Sequence, residues 1–412
     1  MRAAIVAVGD ELLLGDIVNA NAAWLGAQLA AVGVQVVRSE MVGDDAGDIA
    51  AAVRRALPAV DVVVLTGGLG PTSDDLTRDA LCLVAGVPLQ RSAELEQQLR
   101  EKFASFGLPM PDAVLRQADV PVGARPLDNP VGTAPGLRLT TRGRLLVALP
   151  GPPHELAATA AAVLAELRVA SGTVVVTRTL HCAGAGESEV AELVEDGIGP
   201  RAQLPSQVTL AYLAGGAVVR VRLTTEAADV AAAHAVLDPV LDTLAAALGE
   251  LVFGLDDDTL PAVVVRRLAA AGATVAVAES LTAGLLGASI TEVAGSSAVF
   301  RGGLQVYATD LKASLAGVDP QVLAEHGAVS EQTALALAAG VRERLGADYG
   351  VALTGVAGPD GQQGHPPGTV HVAVAGPDGV VHRERRLPGD RQRVRLLAVT
   401  SALDLLRRQL PG

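Results

Sequence analysis

The sequence predicts an α/β protein of two or three domains, and three observations carry that expectation. At 412 residues the chain exceeds what one hydrophobic core organises. In its first 85 residues three short apolar runs are each followed by glycine and acidic residues and then by a helical pattern, the signature of β-loop-α units around a parallel sheet. Two more such runs with glycine loops recur near the C-terminus. The expected architecture is an N-terminal doubly wound, mostly parallel sheet over residues 1–168. A small βαββα domain follows over 172–256, and a C-terminal α/β domain over 258–412.

Ala3 to Val8 reads as a buried strand, followed by Gly9, Asp10 and Glu11 and a Leu-rich helix with Asn19 and Asn21 near its start. Val34 to Met41 is the second strand, leading to Gly43, Asp44 and Asp45 and the helical AGDIAAAVRRALPAV. The third unit, DVVVLTGGLGPTSDDLT, is the most informative. Val62 to Leu65 form a strand buried on both faces, and Thr66, Gly67, Gly68 and Gly70 make a loop that can approach a ligand closely. A helix from Leu76 to Ala85 stops at Gly86. Strand, glycine loop and helix N-terminus together predict an anion site. Asp74 and Asp75 could cap that helix. Beside a phosphate site, however, two carboxylates repel it unless a divalent cation intervenes, so a Mg²⁺- or Mn²⁺-bridged pyrophosphate is expected. A parallel sheet gathers ligands at its strands' carboxyl ends, so Asp10, Asp44, Asp74 and Asp75 are expected to converge. Helices at Ser92–Phe106 and Asp112–Ala118, the loop NPVGTAPG with Gly132 and Thr133, a hairpin over 137–149, LPGPPHE and a helix Glu155–Arg168 complete the domain, with a boundary at 169–173.

In the middle segment TVVVTRTL is a strand, GESEVAELVEDG a helix, and QVTLAYLAGGAVVRVRLTT a hairpin turning at Gly215 and Gly216. It carries no clustered titratable side chains, which assigns it to spacing or oligomerisation. Beyond Thr259 come the helix PAVVVRRLAAAG, the strand TVAVAES, and finally a hairpin and a helix from Asp390 to Leu410. Between them Glu279, Ser280, Leu281, Thr282, Ala283 and Gly284 pass from strand to helix, a setting that exposes a serine Oγ beside free N–H groups. Tyr307 and Lys312 follow. The chain has only two lysines, Lys102 and Lys312, so Lys312 is not a default surface cation. Placed near a helix start, its ammonium is disfavoured and it is readied as a base. Thr354 and Gly355 open a third glycine loop, ALTGVAGPDGQQG. Ser280 could otherwise cap a helix, Glu279 be a structural acid, and Thr354 a strand-end hydroxyl.

Composition narrows the partners. A formal charge of −13 argues against direct nucleic-acid binding, which needs a basic stripe. No run of about eighteen uncharged apolar residues reads as a membrane span, the N-terminus does not read as a signal peptide, and a cytoplasmic protein is expected. Cys82 and Cys182 form no CxxC, and the seven histidines do not cluster in sequence, so neither a disulfide nor a zinc site is expected.

GDELLLGDIVNANAAWL, VGDD, TGGLGPTSDDLT, NPVGTAPG, LPGPPHE, AESLTAG, SSAVFRGGLQVYATDLK, EHGAVSE and ALTGVAGP, in that order, resemble the CinA (competence/damage-inducible) family over nearly the whole chain. The resemblance implies an N-terminal molybdopterin-binding-like domain, related to MogA and MoaB, that acts as an ADP-ribose pyrophosphatase and uses a divalent cation. It implies a C-terminal nicotinamide mononucleotide amidohydrolase that needs no cofactor. Carried over by residue, Ser280 is the nucleophile, Lys312 its base, and Tyr307 and Thr354 partners, while Asp44 and Asp75 match acidic positions of the MogA-like pocket. A homodimer acting on small nucleotides is expected. Three departures stand out: Leu281 and Ala283 replace the Cys and first Gly of AESCTGG, and His365 stands where a Lys commonly precedes the PxGTV stretch. Two other readings remain open: a molybdopterin adenylyltransferase or binder, and a competence or DNA-repair accessory protein acting through protein partners.

Overall fold

A computed structural model describes residues 1–105, 107–198, 204–215 and 217–411. The expected helix end Phe106, hairpin residue Gly216 and terminal Gly412 lie outside the described residues. The chain divides into two compact units, residues 1–176 with 225–234, and residues 177–224 with 235–412.

The first unit is an α/β sheet of six strands, in spatial order Gln35–Val42, Arg2–Val8, Val62–Thr66, Arg144–Leu149, Gly136–Thr141 and Arg125–Leu127. The first four run parallel, and Gly136–Thr141 runs antiparallel to both of its neighbours. Val62 to Thr66 lies at the centre with every residue buried, as its unbroken apolar run requires. Helices Ala46–Ala56 and Thr77–Ala85 cover one face, with Ile49, Val53 and Leu81 in the core. Helices Ala20–Ala31 and Pro153–Ser171 cover the other, with Leu25, Leu29, Leu156 and Val163. The last helix runs to Ser171, into the stretch expected to be a boundary. Gly86, at φ 73°, ends helix Thr77–Ala85 as expected.

The middle segment is the expected βαββα unit, Val174–Ala183, Glu187–Ile198, Val208–Gly215, Val218–Ala227 and Val230–Leu248. A fourth strand, Val252–Leu255, pairs antiparallel with the first. The stretch Val230–Leu251 is long and apolar enough to cross a membrane, which the sequence reading did not anticipate. Asp238, Pro239 and Asp242 interrupt it, and Leu237, Leu241, Leu244 and Leu248 form one buried face. That is the pattern of a helix packed on a protein core.

The second unit holds a five-stranded sheet, in order Phe300–Gln305, Val275–Glu279, Tyr349–Gly355, Thr369–Gly376 and Gly379–Arg386. The first three are parallel and the hairpin antiparallel. Helices Leu260–Ala270 and Arg391–Gln409 bury Val263, Val264, Leu268, Val394 and Leu403 against it. The ion pair Arg407–Asp404, at 2.7 Å and almost fully buried, has its remaining donors satisfied by the carbonyls of Glu250 and Val252. Burial of such a pair is tolerated because the guanidinium finds several acceptors. Cys82 and Cys182 are free. The histidines, separate in sequence, do come together in part. His371 Nδ1 and His382 Nε2 are 3.0 Å apart with stacked rings, and His365 meets His371 edge-on. Pairing of two antiparallel strands creates that contact, which spacing along the chain does not reveal.

Candidate functional site

Each unit carries a cavity at the carboxyl ends of its parallel strands. The first, of about 600 Å³, is lined by Gly9, Glu11, Asn19, Asp44, Thr66, Gly67, Gly68, Gly70, Asp74, Asp75 and Thr133. Gly67 and Gly68 adopt φ of 101° and 65°, and a Cβ at Gly67 would stand 2.3 Å from the Val8 carbonyl. Only glycine fits there. Arg78, buried under the loop, donates to the carbonyls of Leu69 and Gly70 at 2.7 and 2.5 Å. Thr66 Oγ1 donates to the Pro150 carbonyl and accepts from Asn21 Nδ2, which also donates to the Gly151 carbonyl at 2.7 Å.

The anion site is built differently from the expectation. The helix after the glycine loop begins only at Thr77, whose hydroxyl donates to the Gly67 carbonyl, and its first turn does not line the cavity. Pro71 to Leu76 intervene between loop and helix. Two other helices instead turn their first residues to the cavity, Ala20–Ala31 with its cap Asn19, and Pro153–Ser171. Asn19 Oδ1 caps the N–H of Ala22. Asp75 does not cap helix Thr77–Ala85 either. Its carboxylate accepts from the N–H groups of Gly70 and Thr72 at 2.7 and 2.8 Å and from the Thr72 hydroxyl, so it holds the loop.

Asp10 and Asp44 are joined reciprocally, each carboxylate accepting the other's N–H, at 2.9 and 3.2 Å. Burial raises the Asp44 carboxyl above its ordinary value, helped by the negative charges of Asp10, Glu11 and Asp74. The carboxyl of Asp74 is lowered instead, by its position beside the Thr72 hydroxyl, by its own backbone N–H and by the charge of Arg116. These carboxylates stand near one another, and among the described residues no group of three or more His, Cys, Asp or Glu side chains is placed to enclose a metal. Such a set fits a Mg²⁺ ion that takes one or two carboxylates and completes its shell with water and substrate phosphate. Gly132 and Thr133 lie in a loop organised by Asn129, which accepts from Gly132 N–H at 2.8 Å and donates to Glu155 at 2.7 Å. Lys102 donates to the carbonyls of Asn129 and Gly132. Asn21, Arg78, Gln117 and Glu155 were not singled out as site residues from sequence. The cavity's remaining wall includes Gln117, 2 % exposed, whose Oε1 has no partner among the described residues.

The second cavity, of about 350 Å³, brings together Ser280, Tyr307, Lys312, Thr354 and Gly355, with Leu281, Asp360 and Arg391. Lys312 is 1 % exposed, and its Nζ donates to Ser280 Oγ at 3.0 Å and to the Val306 carbonyl at 2.8 Å. Burial lowers its pKa to about 8. The cause differs from the expected helix dipole, since Lys312 sits in the last turn of helix Thr309–Ser314. Glu279 is buried with its carboxylate on the N–H groups of Gly284, Leu286 and Gly287, at 2.9 to 3.1 Å. It anchors the N-terminus of helix Leu285–Thr291, the structural-acid role, and does not reach the cavity. Thr354 Oγ1 donates to the Ala328 carbonyl at 2.6 Å. Tyr307, 58 % exposed, accepts at its hydroxyl from Arg391 Nη2 at 2.9 Å, and Arg391 Nη1 donates to the Gly358 carbonyl. Arg391 escaped the sequence reading because it looks like one more surface charge at a helix start.

Ala283 stands at φ 50°, in the left-handed region. An alanine there costs about 1–2 kcal/mol. Ala283→Gly is therefore expected to stabilise the protein by up to about 1 kcal/mol after the entropy cost of glycine, read as a higher urea midpoint at constant slope. An unchanged or lower midpoint would show that the turn carries no strain.

Residues 4–169 match the probable molybdopterin binding domain family, 177–254 the damage-inducible protein CinA KH domain, and 257–410 the CinA C-terminal domain. A CinA-like protein of Frankia casuarinae is 52% identical across 100% of this chain and 97% of its own length. The chain belongs to the CinA family. A putative competence-damage inducible protein of Desulforudis audaxviator is 42% identical over 99% of this chain and 98% of its own. Among solved structures, a CinA protein of unknown function from Thermoplasma acidophilum is 38% identical, covers 40% of this chain and 97% of its own, and has a TM-score of 0.38. A competence/damage inducible protein from Agrobacterium tumefaciens is 40% identical over 36% and 94%, with a TM-score of 0.34.

Proposed function

We propose that this CinA family member is a two-headed pyridine-nucleotide salvage hydrolase. The observation that carries the C-terminal assignment is a buried, low-pKa lysine within hydrogen-bond reach of a cavity serine, the arrangement of an activated nucleophile and its base. Neutral Lys312 takes the Ser280 proton as Oγ attacks the carboxamide carbon of nicotinamide mononucleotide. The oxyanion is held by the N–H of Leu281, a residue that lines the cavity and whose N–H donates to no acceptor among the described residues. Collapse breaks the C–N bond and Lys312 returns the proton to the departing ammonia; water, deprotonated by the same lysine, then attacks the acyl carbon, the bond to Ser280 Oγ breaks, and Oγ takes the proton back from Lys312 as nicotinate mononucleotide leaves. Arg391 supplies the fixed positive charge for the phosphate, and Tyr307 holds Arg391 in place. Thr354 and Gly355 shape the wall. A serine and lysine mechanism needs no metal. Ammonia release from nicotinamide mononucleotide by purified protein tests the assignment.

Because the neutral form of Lys312 is the base, kcat/KM should rise tenfold per pH unit below about 8 and level off above it. The same shift bears on stability. A lysine whose folded pKa is depressed binds fewer protons than the unfolded chain between pH 8 and 10.5, so its contribution to stability grows as pH rises through that window. Relative to Lys312→Met, the wild type should gain about 1.4 kcal/mol per pH unit there. Parallel stability curves for the two proteins would show that Lys312 titrates normally.

For the N-terminal head the proposed reaction is hydrolysis of ADP-ribose to AMP and ribose 5-phosphate. Support comes from the glycine loop and two helix N-termini around one cavity, with the partly buried Asp44 carboxylate beside them pressed by the charges of Asp10, Glu11 and Asp74. Asp44 and Asp74 would hold a Mg²⁺ or Mn²⁺ ion and Asp75 would order the loop beside it. The cation would neutralise the pyrophosphate and polarise its phosphorus. Thr66, Gly68 and Asn19 bind and orient the nucleotide, and Glu11 and Glu155 stand where an attacking water can be ordered. The working form is proposed to be a cytoplasmic homodimer.

A further inference from the structure

Helix Arg391–Gln409 sends a second arginine to the Ser280 site, one that touches no part of the cavity. Arg395 is half-buried, and its guanidinium forks onto two successive carbonyls of the nucleophile turn: Nε donates to Leu281 at 3.0 Å and Nη2 to Thr282 at 2.9 Å. A trans peptide points its N–H opposite to its C=O. With the Thr282 carbonyl fixed on Arg395, the N–H of the same peptide, that of Ala283, is turned back toward Ser280 and donates to the Ser280 carbonyl at 3.2 Å. That bond in turn fixes the Ser280–Leu281 peptide. Its N–H, belonging to Leu281, is left facing away from the turn with no described acceptor, at a residue that lines the cavity. Two hydrogen bonds thus transmit the position of Arg395 to the N–H of the residue that follows the nucleophile. The same fork holds Ala283 at φ 50°, a conformation that persists only where surrounding contacts over-determine it.

We propose that Arg395 is a positioning residue for the Ser280 reaction, holding through the carbonyls of Leu281 and Thr282 the turn that aims the Leu281 N–H at the oxyanion. This rests on the amidohydrolase reading of Ser280 and goes beyond it by assigning the device that preorganises its oxyanion donor. Loss of the fork does not remove the donor but lets it wander, so the transition state is affected and ground-state binding is not. A lysine can satisfy one carbonyl at a time and cannot reproduce the fork.

The test compares full-length wild type with Arg395→Gln and Arg395→Lys. Three readings are taken: kcat and KM for ammonia release from nicotinamide mononucleotide, thermal midpoint, and the rate at which a fluorophosphonate modifies Ser280. In that modification Ser280 Oγ bonds to phosphorus, fluoride leaves, Lys312 takes the hydroxyl proton, and the phosphonyl oxygen occupies the oxyanion position. For Arg395→Gln kcat should fall roughly a hundredfold, with KM within about twofold and modification slowed in parallel, and Arg395→Lys should fall between it and wild type. Adding Ala283→Gly, which lets the turn hold its shape without the fork's help against strain, should return part of the lost kcat to Arg395→Gln. If the variants keep kcat within threefold of wild type, or lose kcat and modification only as far as the folded fraction falls, Arg395 is structural and the inference is overturned. A wild type that modifies at Ser280 but ignores nicotinamide mononucleotide would move the substrate, and the modification rates would still decide on Arg395. A wild type inert to both would remove the nucleophile reading and this inference with it.

Discussion

Ser280→Ala is expected to end ammonia release from nicotinamide mononucleotide, with a loss in kcat on the order of 10⁵-fold, while ADP-ribose cleavage is untouched. The geometry sets the size of the effect. Lys312 lies 3.0 Å from Oγ and is held by the Val306 carbonyl, so its first proton transfer is from Ser280, and without Oγ no acyl-enzyme forms for its later ones to act on. Lys312→Met should be nearly as damaging, because serine without its base is a weak nucleophile. Members of such a unit do not add, so the double variant should be no worse than the poorer single one. Activity of the double variant well below both would mean that the two side chains serve separate steps. The hydrophobic replacement also removes a buried amine, so a folded but inactive Lys312→Met distinguishes lost chemistry from lost structure.

The parallel strands were legible because burial on both faces writes a continuous apolar run. Val62 to Leu65 and Val275 to Ala278 need no partner in sequence to be recognised. Ser280 and Lys312 were legible for different reasons, one from a strand-to-helix junction and the other from the scarcity of lysine in the chain. What sequence did not show is which polar groups satisfy which. Glu279 and Asp75 both sit in chemically suggestive stretches, and both spend their oxygens on backbone N–H groups. Arg391 and Arg395 look like surface charges of a C-terminal helix until the fold brings that helix beside the nucleophile turn. Likewise His371 and His382 meet only through antiparallel register. Such pairings are properties of tertiary packing, and local periodicity carries no trace of them.

In the N-terminal head, chelation with EDTA should stop ADP-ribose cleavage and leave the Ser280 reaction running. The two carboxylates at the centre of that expectation should then separate. Asp75 accepts three hydrogen bonds within the loop from Gly70 to Thr72. An asparagine has one acceptor oxygen, and its amide nitrogen would face N–H donors that now lack an acceptor. Each such donor costs about 1–3 kcal/mol, so Asp75→Asn should lower turnover about tenfold to a hundredfold with the Mg²⁺ concentration for half-activation unchanged. Asp44 differs. Its carboxylate needs only to accept the Asp10 N–H, which asparagine also does, but it is the partly buried charge pressed by Asp10, Glu11 and Asp74. Asp44→Asn should therefore preserve the loop and raise the Mg²⁺ requirement about tenfold or more. Titrating Mg²⁺ against ADP-ribose turnover in both variants decides the matter. Full turnover by Asp75→Asn would remove the loop-holding role, a raised Mg²⁺ requirement in that variant would make Asp75 a ligand, and an unchanged requirement in Asp44→Asn would place the cation elsewhere in the cavity, with Asp74 or Glu11 as its first anchors.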